Sequence, residues 1–140
     1  MAERTVLARG YRTVSGAMQK ILVIDDNVVV RNTIVQLLEG EGYQVVSAED
    51  GRRGLSVFRA EHPDLVITDI IMPEKEGIET IRDIREVSPN AKIIAISGGG
   101  RIGNTDFLRI ARQLGASDVI AKPLDPDHFI SIIRERLAAA

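Results

Sequence analysis

The sequence predicts an α/β domain, a doubly wound sandwich in which a five-stranded parallel sheet is covered by helices on both faces. Two observations carry that expectation. Compact runs rich in Val and Ile alternate with amphipathic helical stretches five times along 140 residues, the pattern of successive strand–helix units. Most of these runs are apolar at nearly every position, as strands buried on both faces must be. Right-handed crossovers between such units make the sheet parallel. A chain of this length buries one sizeable core and has little room for a second.

The opening stretch, MAERTVLARGYRTVSGA, shows neither helical nor strand periodicity, and Arg4, Arg9 and Arg12 interrupt it. No apolar segment follows a basic start, so it is not a secretory signal. Residues 1–17 are expected to form a flexible extension and residues 18–140 the ordered domain. The first strand is residues 20–25, followed by a helix over residues 27–39 that sets Val30, Ile34, Leu37 and Leu38 on one face. That helix stops at EGEG, where Gly40 or Gly42 can take the left-handed cap. Strand two covers residues 44–48; the second helix covers 51–61, turns Leu55 and Phe58 inward and is cut by Pro63. Strand three is residues 65–69, and the third helix spaces Ile78, Ile81 and Ile84 ahead of Pro89. After strand four, residues 92–96, Phe107, Ile110, Ala111 and Leu114 make the stripe of a fourth helix with Gly115 at its exit. Strand five is residues 118–121. The last helix spans residues 126–137, with Asp125 as N-cap, Pro126 in the first helical position and Phe129, Ile132, Ile133 and Leu137 inward.

Composition removes several classes of function. Without cysteine there are no disulfides, thiol nucleophiles or thiolate metal sites. The formal net charge of −2 lacks the basic excess of a nucleic-acid binder. No apolar run approaches the ~20 residues of a membrane span. A cytoplasmic protein that touches neither nucleic acid nor membrane is expected.

In a parallel sheet, ligands sit beyond the carboxyl ends of the strands. Strand one ends in Asp25-Asp26, strand three in Asp69, strand four in Ser97, and strand five runs into Lys122-Pro123. These ends share one edge of the sheet, so three carboxylates, a hydroxyl and an ammonium can converge. Taken singly, each has a plainer reading: Asp26 or Asn27 could cap the first helix, Asp69 could be a turn residue, and Ser-Gly and Lys-Pro could be loops. Their joint placement argues for a site. Crowded carboxylates repel unless a cation or proton compensates, and oxygen ligands without suitable His or Cys suit a hard divalent ion, best Mg²⁺. A carboxylate can also be a nucleophile that forms an aspartyl phosphate, whose oxygens Lys122 and Ser97 could meet with charge and a hydrogen bond.

The segments ILVIDDN, PDLVITDIIMPEKEGIE, IIAISGGG and GASDVIAKPL, in this order and spacing, resemble a response-regulator receiver domain of the CheY-like family from Met18 to the C-terminus. The resemblance implies a flavodoxin-like three-layer sandwich. It makes Asp69 the phosphoacceptor and Asp25 and Asp26 the acidic pair that organises Mg²⁺, for which Mn²⁺ can substitute. The backbone carbonyl of Ile71 is the remaining protein ligand. Ser97 takes the position of the switch hydroxyl, and Lys122 that of the lysine paired with the phosphoryl group. Met72-Pro73 and Gly77 fit the turn after the acceptor strand, and Pro123 fits a cis Lys-Pro bond. Gly98, Gly100 and Gly103 match a dinucleotide-cradle pattern, but such a cradle belongs at the first strand–helix turn. Here they follow strand four and are expected to serve as a hinge.

One departure concerns Val119, which stands three residues before the lysine, where the family commonly carries Tyr or Phe. Coupling through an aromatic ring is therefore not expected, and the loop over residues 98–105, with the helix after it, becomes the expected route. Ile71 and Gly99 offer no group to orient an attacking water, which implies slow to moderate loss of the phosphoryl group. The implied partners are a sensor histidine kinase or histidine phosphotransfer protein and a separate downstream target, the chain acting as a stand-alone monomer or weak dimer. It would be a signalling protein whose only chemistry is its own phosphorylation and dephosphorylation. The alternative is a non-phosphorylated pseudo-receiver serving as an interaction module. A phosphatase of the haloacid-dehalogenase type fits less well, because those enzymes carry Asp-x-Asp after strand one rather than an adjacent pair.

Overall fold

The structure, a computed structural model, describes residues 13–14, 17–70, 76–97, 109, 112–113 and 115–138. Five strands form one all-parallel sheet: β1 (Lys20–Ile24), β2 (Gln44–Ala48), β3 (Leu65–Asp69), β4 (Ile93–Ser97) and β5 (Asp118–Ala121), in the order β2-β1-β3-β4-β5. The accompanying helices are α1 (Val28–Gly40), α2 (Gly51–Glu61), α3 (Glu76–Val87) and the C-terminal α4 (Pro126–Ala138). Arg109, Arg112 and Gln113 are also helical; Phe107, Ile110, Ala111 and Leu114, which carry the expected stripe there, lie outside the described residues. Thr13–Val14 pairs antiparallel with Ala17–Met18 in a separate two-stranded ribbon. The sheet and its two helical layers make the doubly wound, flavodoxin-like sandwich that the sequence predicts.

Alternate residues of each central strand enter different cores, which explains the unbroken apolar runs. On one face, Ile34 and Leu38 of α1 and Phe129, Ile133 and Leu137 of α4 pack with Ile21, Val23, Ile67, Ile94 and Ile96. On the other, Phe58 of α2 and Ile81 and Ile84 of α3 pack with Leu22, Ile24, Val66, Ile93 and Ala95. Both faces of the central strands are thus removed from water, the condition that makes period-two patterning unnecessary.

The helix boundaries follow from local hydrogen bonding. Asn27 caps α1, its Oδ1 accepting the N–H groups of Val29 and Val30 at 2.9 and 3.0 Å. Gly42 takes the left-handed conformation after α1 with φ 95°. Asp50 accepts the Arg53 N–H at 2.8 Å to start α2, and Asp125 accepts the His128 N–H at 3.2 Å to start α4. Helix α2 ends at His62, which adopts the left-handed conformation at φ 49° directly before Pro63. Strand β1 ends at Ile24, one residue earlier than expected. The Asp25 N–H still reaches the Ala48 carbonyl at 3.2 Å, but its own carbonyl accepts from the Arg31 side chain. Strand β4 is shifted one residue forward, to Ile93–Ser97.

Gly77 fixes how closely α3 approaches the sheet. A Cβ there would lie 2.3 Å from both the Asp69 carbonyl oxygen and the Ile70 Cα, backbone atoms that cannot step aside as a flexible side chain can. Gly77→Ala is expected to lower unfolding stability by about 1–3 kcal/mol through overpacking. Gly40→Ala, with nothing within 4 Å of the added methyl group, should be neutral or stabilising by up to ~1 kcal/mol. Urea denaturation of the two variants checks the contrast.

Candidate functional site

The strand register brings the acidic residues to one crevice. Ile24 pairs with Thr68 and Asp69 with Ile96, so Asp25, one residue past Ile24, stands level with Asp69. Because β1 lies between β2 and β3, chain connections leave it and β3 toward opposite sides of the sheet, and the crevice opens at that reversal. Asp25 and Asp69 are buried, at 1% and 5% exposure, whereas Asp26 is exposed. One ligand atom from each of the three carboxylates lies within 4.8 Å of the others.

Lys122 reaches this cluster from the far side of β4. It follows β5, whose Ala121 pairs with Ser97, so its side chain must extend over the end of β4 to meet Asp69. Two strand spacings amount to roughly 10 Å, which a long lysine stem and an aspartate can bridge together. The ammonium lies 3.0 Å from Asp69 Oδ2 and 3.5 Å from Asp25 Oδ2. Burial disfavours its charge and is the largest single influence on its pKa. The hydrogen bond and charge of Asp69, with those of Asp25, together outweigh burial and raise the pKa above its ordinary value.

The short β1–α1 connection is held by its own side chains. The Asn27 N–H donates to Asp25 Oδ1 at 2.8 Å, so Asp25 closes a turn while its other carboxylate oxygen faces Lys122. Asn27 in turn caps α1, and the cap and the site therefore coexist in adjacent residues. The oxygen-only donor set fits a hard divalent cation of the Mg²⁺ or Mn²⁺ kind. Among the described residues three carboxylates face one ammonium, which leaves an excess of negative charge, and the exposure of Asp26 gives such an ion access to water.

Of the residues expected at the site, the structure brings together Asp25, Asp26, Asp69 and Lys122. Ser97 is the last residue of β4; its side chain, Ile71 and the loop over residues 98–105 lie outside the described residues. The Lys122–Pro123 peptide is cis. Val119 pairs with Ala95 and packs, partly buried, against the α2–α3 face of the sheet. Arg31, whose guanidinium donates to the Asp25 carbonyl, was not singled out by the sequence pattern. An arginine one turn into an amphipathic helix reads as a solvated surface residue.

Residues 21–134 match the profile of the response regulator receiver domain. The chain belongs to this family. The receiver is 40% identical over 114 residues to the chemotaxis protein CheY of Treponema pallidum, a match covering 79% of this chain and 77% of that protein. It is 30% identical to the sporulation initiation phosphotransferase F of Bacillus subtilis, covering 85% of this chain and 94% of the relative. Against a probable transcriptional regulator, ycf27, of Cyanophora paradoxa the identity is 36%, but the match spans 48% of that longer protein. Among solved structures, a CheY-like receiver domain protein from Methanospirillum hungatei superposes with a TM-score of 0.78 at 30% identity, covering 86% of this receiver and 94% of that chain. These relatives place the receiver in two-component signalling. Among the described residues, no helix is long and apolar enough to cross a membrane.

Lys122 supplies a pH signature. Its folded pKa is raised above 10.5, so its contribution to stability is fully present below that ordinary value and is lost as pH rises through the folded value. Lys122→Met removes the ammonium that faces two buried carboxylates and should cost roughly 2–3 kcal/mol at pH 7, somewhat less than breaking a fully buried pair. The difference between wild type and variant should narrow in denaturation curves recorded above about pH 10.5.

Proposed function

We propose that this receiver accepts a phosphoryl group on Asp69 from the phosphohistidine of a sensor histidine kinase or histidine phosphotransfer protein. The phosphorylated form then changes the binding of a downstream target. The observation that carries this reading is the Lys122 ammonium, held 3.0 Å from Asp69 Oδ2 in a crevice that otherwise gathers negative charge. A buried carboxylate level with the sheet edge, beside a cation and two further acids, is suited to nucleophilic attack on phosphorus.

In the transfer, an Asp69 carboxylate oxygen attacks the donor's phosphorus. The P–O bond forms as the P–N bond to the donor imidazole breaks, and the departing nitrogen keeps that electron pair. Lys122 compensates charge on the phosphoryl oxygens, and Ser97 supplies a hydroxyl to them as the loop over residues 98–105 rearranges. Asp25, Asp26, Asp69 and the Ile71 carbonyl would hold Mg²⁺, or Mn²⁺ in its place. When bound there, the ion would neutralise charge on the carboxylates and the phosphoryl group. Val119 offers no ring to follow the hydroxyl, so the switch is read through the loop after β4. The receiver's only covalent chemistry, on this reading, is the gain and loss of its own phosphoryl group. It acts in the cytoplasm as a monomer or weak dimer, through residues 18–140 and without direct contact with nucleic acid.

Intact-mass measurement after incubation with Mg²⁺ and acetyl phosphate tests the chemistry. Wild type should gain one phosphoryl group only when Mg²⁺ is present, and Asp69→Asn should gain none. Wild type that stays unmodified with both acetyl phosphate and phosphohistidine donors would instead make the domain a constitutive interaction module.

A further inference from the structure

We infer that Arg31 is a positioning residue for the divalent-cation site, acting through the peptide that joins Asp25 to Asp26. This rests on the reading of Asp25, Asp26 and Asp69 as a cation and phosphoryl-acceptor cluster. Arg31 lies in the first turn of α1, and its Nη1 donates to the Asp25 carbonyl oxygen at 2.7 Å. Its own backbone N–H donates to the Asn27 carbonyl at 2.9 Å. One residue therefore ties both ends of the three-residue connection between β1 and α1.

The consequence falls on Asp26. Asp25 is already held by its N–H to the Ala48 carbonyl, by Asn27 on one carboxylate oxygen and by Lys122 on the other. Asp26 is exposed, and the direction of its carboxylate follows from the backbone. The Asp25 carbonyl and the Asp26 N–H share one rigid peptide plane. Holding the carbonyl holds that plane, and the Asn27 N–H on Asp25 Oδ1 holds the peptide on the other side of Asp26, so the two together limit the direction in which the Asp26 side chain leaves the chain. A guanidinium donor makes this a charge-assisted hydrogen bond, stronger than a neutral one.

Geometry and charge make opposite demands here, which gives the inference a decisive sign. On charge alone, a guanidinium near a cation site repels the ion, and removing it would tighten binding. As a positioning group, its loss would weaken binding, because one carboxylate would no longer be presented beside the other two. Outer groups that orient metal ligands typically change affinity by about 10–100-fold when removed.

The probe is Mn²⁺, followed by the electron paramagnetic resonance signal of the free ion, with wild type, Arg31→Met and Arg31→Lys compared. Thermal unfolding without metal confirms that each variant is folded. We expect Arg31→Met to bind Mn²⁺ about tenfold more weakly, and Arg31→Lys, which keeps a charged donor, to recover part of that loss. Unchanged or tighter Mn²⁺ binding by folded Arg31→Met would overturn the inference. Should that variant fail to fold, Arg31→Gln carries the same test with the same expected sign. If wild type itself binds no Mn²⁺, the cation-site reading falls with it; if only the variants are unaffected, the site stands and Arg31 has no part in positioning it.

Discussion

The structure depends on placing several like charges together without losing the fold that holds them. Two carboxylates, Asp25 and Asp69, are buried at the same level of adjacent strands, and a third, Asp26, follows directly in sequence. In a medium less polarisable than water, their repulsion is strong. Lys122 offsets part of it by reaching across the end of β4. Among the described residues the compensation is incomplete, one ammonium against three carboxylates, an imbalance that suits the cluster to further positive charge. A fully neutralised cluster would be more comfortable and would have less reason to bind a cation.

The sheet makes this arrangement tolerable by separating its apolar and polar tasks along each strand. Residues 21–24 and 65–67 are entirely buried and apolar, and acids appear only at the strand ends. The stabilising burial therefore lies away from the charges, in two cores that continue across all the central strands. Gly77 belongs to the same economy of space: its missing side chain lets α3 begin against the backbone that leaves β3. Packing on one side of Asp69 and the ammonium on the other constrain its position from both directions.

Much of this was legible in the sequence because it depends on patterns that run along the chain. The five strands could be read from apolar runs, and four of the site residues could be placed because strand ends in a parallel sheet share an edge. Asn27 and Asp125 announce their helices through local capping. What could not be read depends on long side chains meeting backbone. Arg85 donates to the carbonyls of Pro89, Ala91 and Gly115, joining the end of α3 to the segment before β5, yet in sequence it is one more charged residue on a helix. His62 in the left-handed conformation is equally hidden, since glycine is the residue that normally signals it.

The choice between capping and chemistry at the end of β1 shows why such local readings need the structure. Asn27 could have been only a cap and Asp25-Asp26 only the turn before it. Instead, each residue serves both roles with different atoms: the Asn27 side chain caps α1 while its N–H fixes Asp25, whose second oxygen faces Lys122. Helix formation thus sets the position of the acidic pair, and the acidic pair helps to set where the helix begins. A change in either is transmitted to the other within three residues, with no need for a longer path through the core. The start of α1 is consequently tied to the acidic pair twice, by Asn27 and by Arg31, whose side chain reaches back from the first turn to the Asp25 carbonyl.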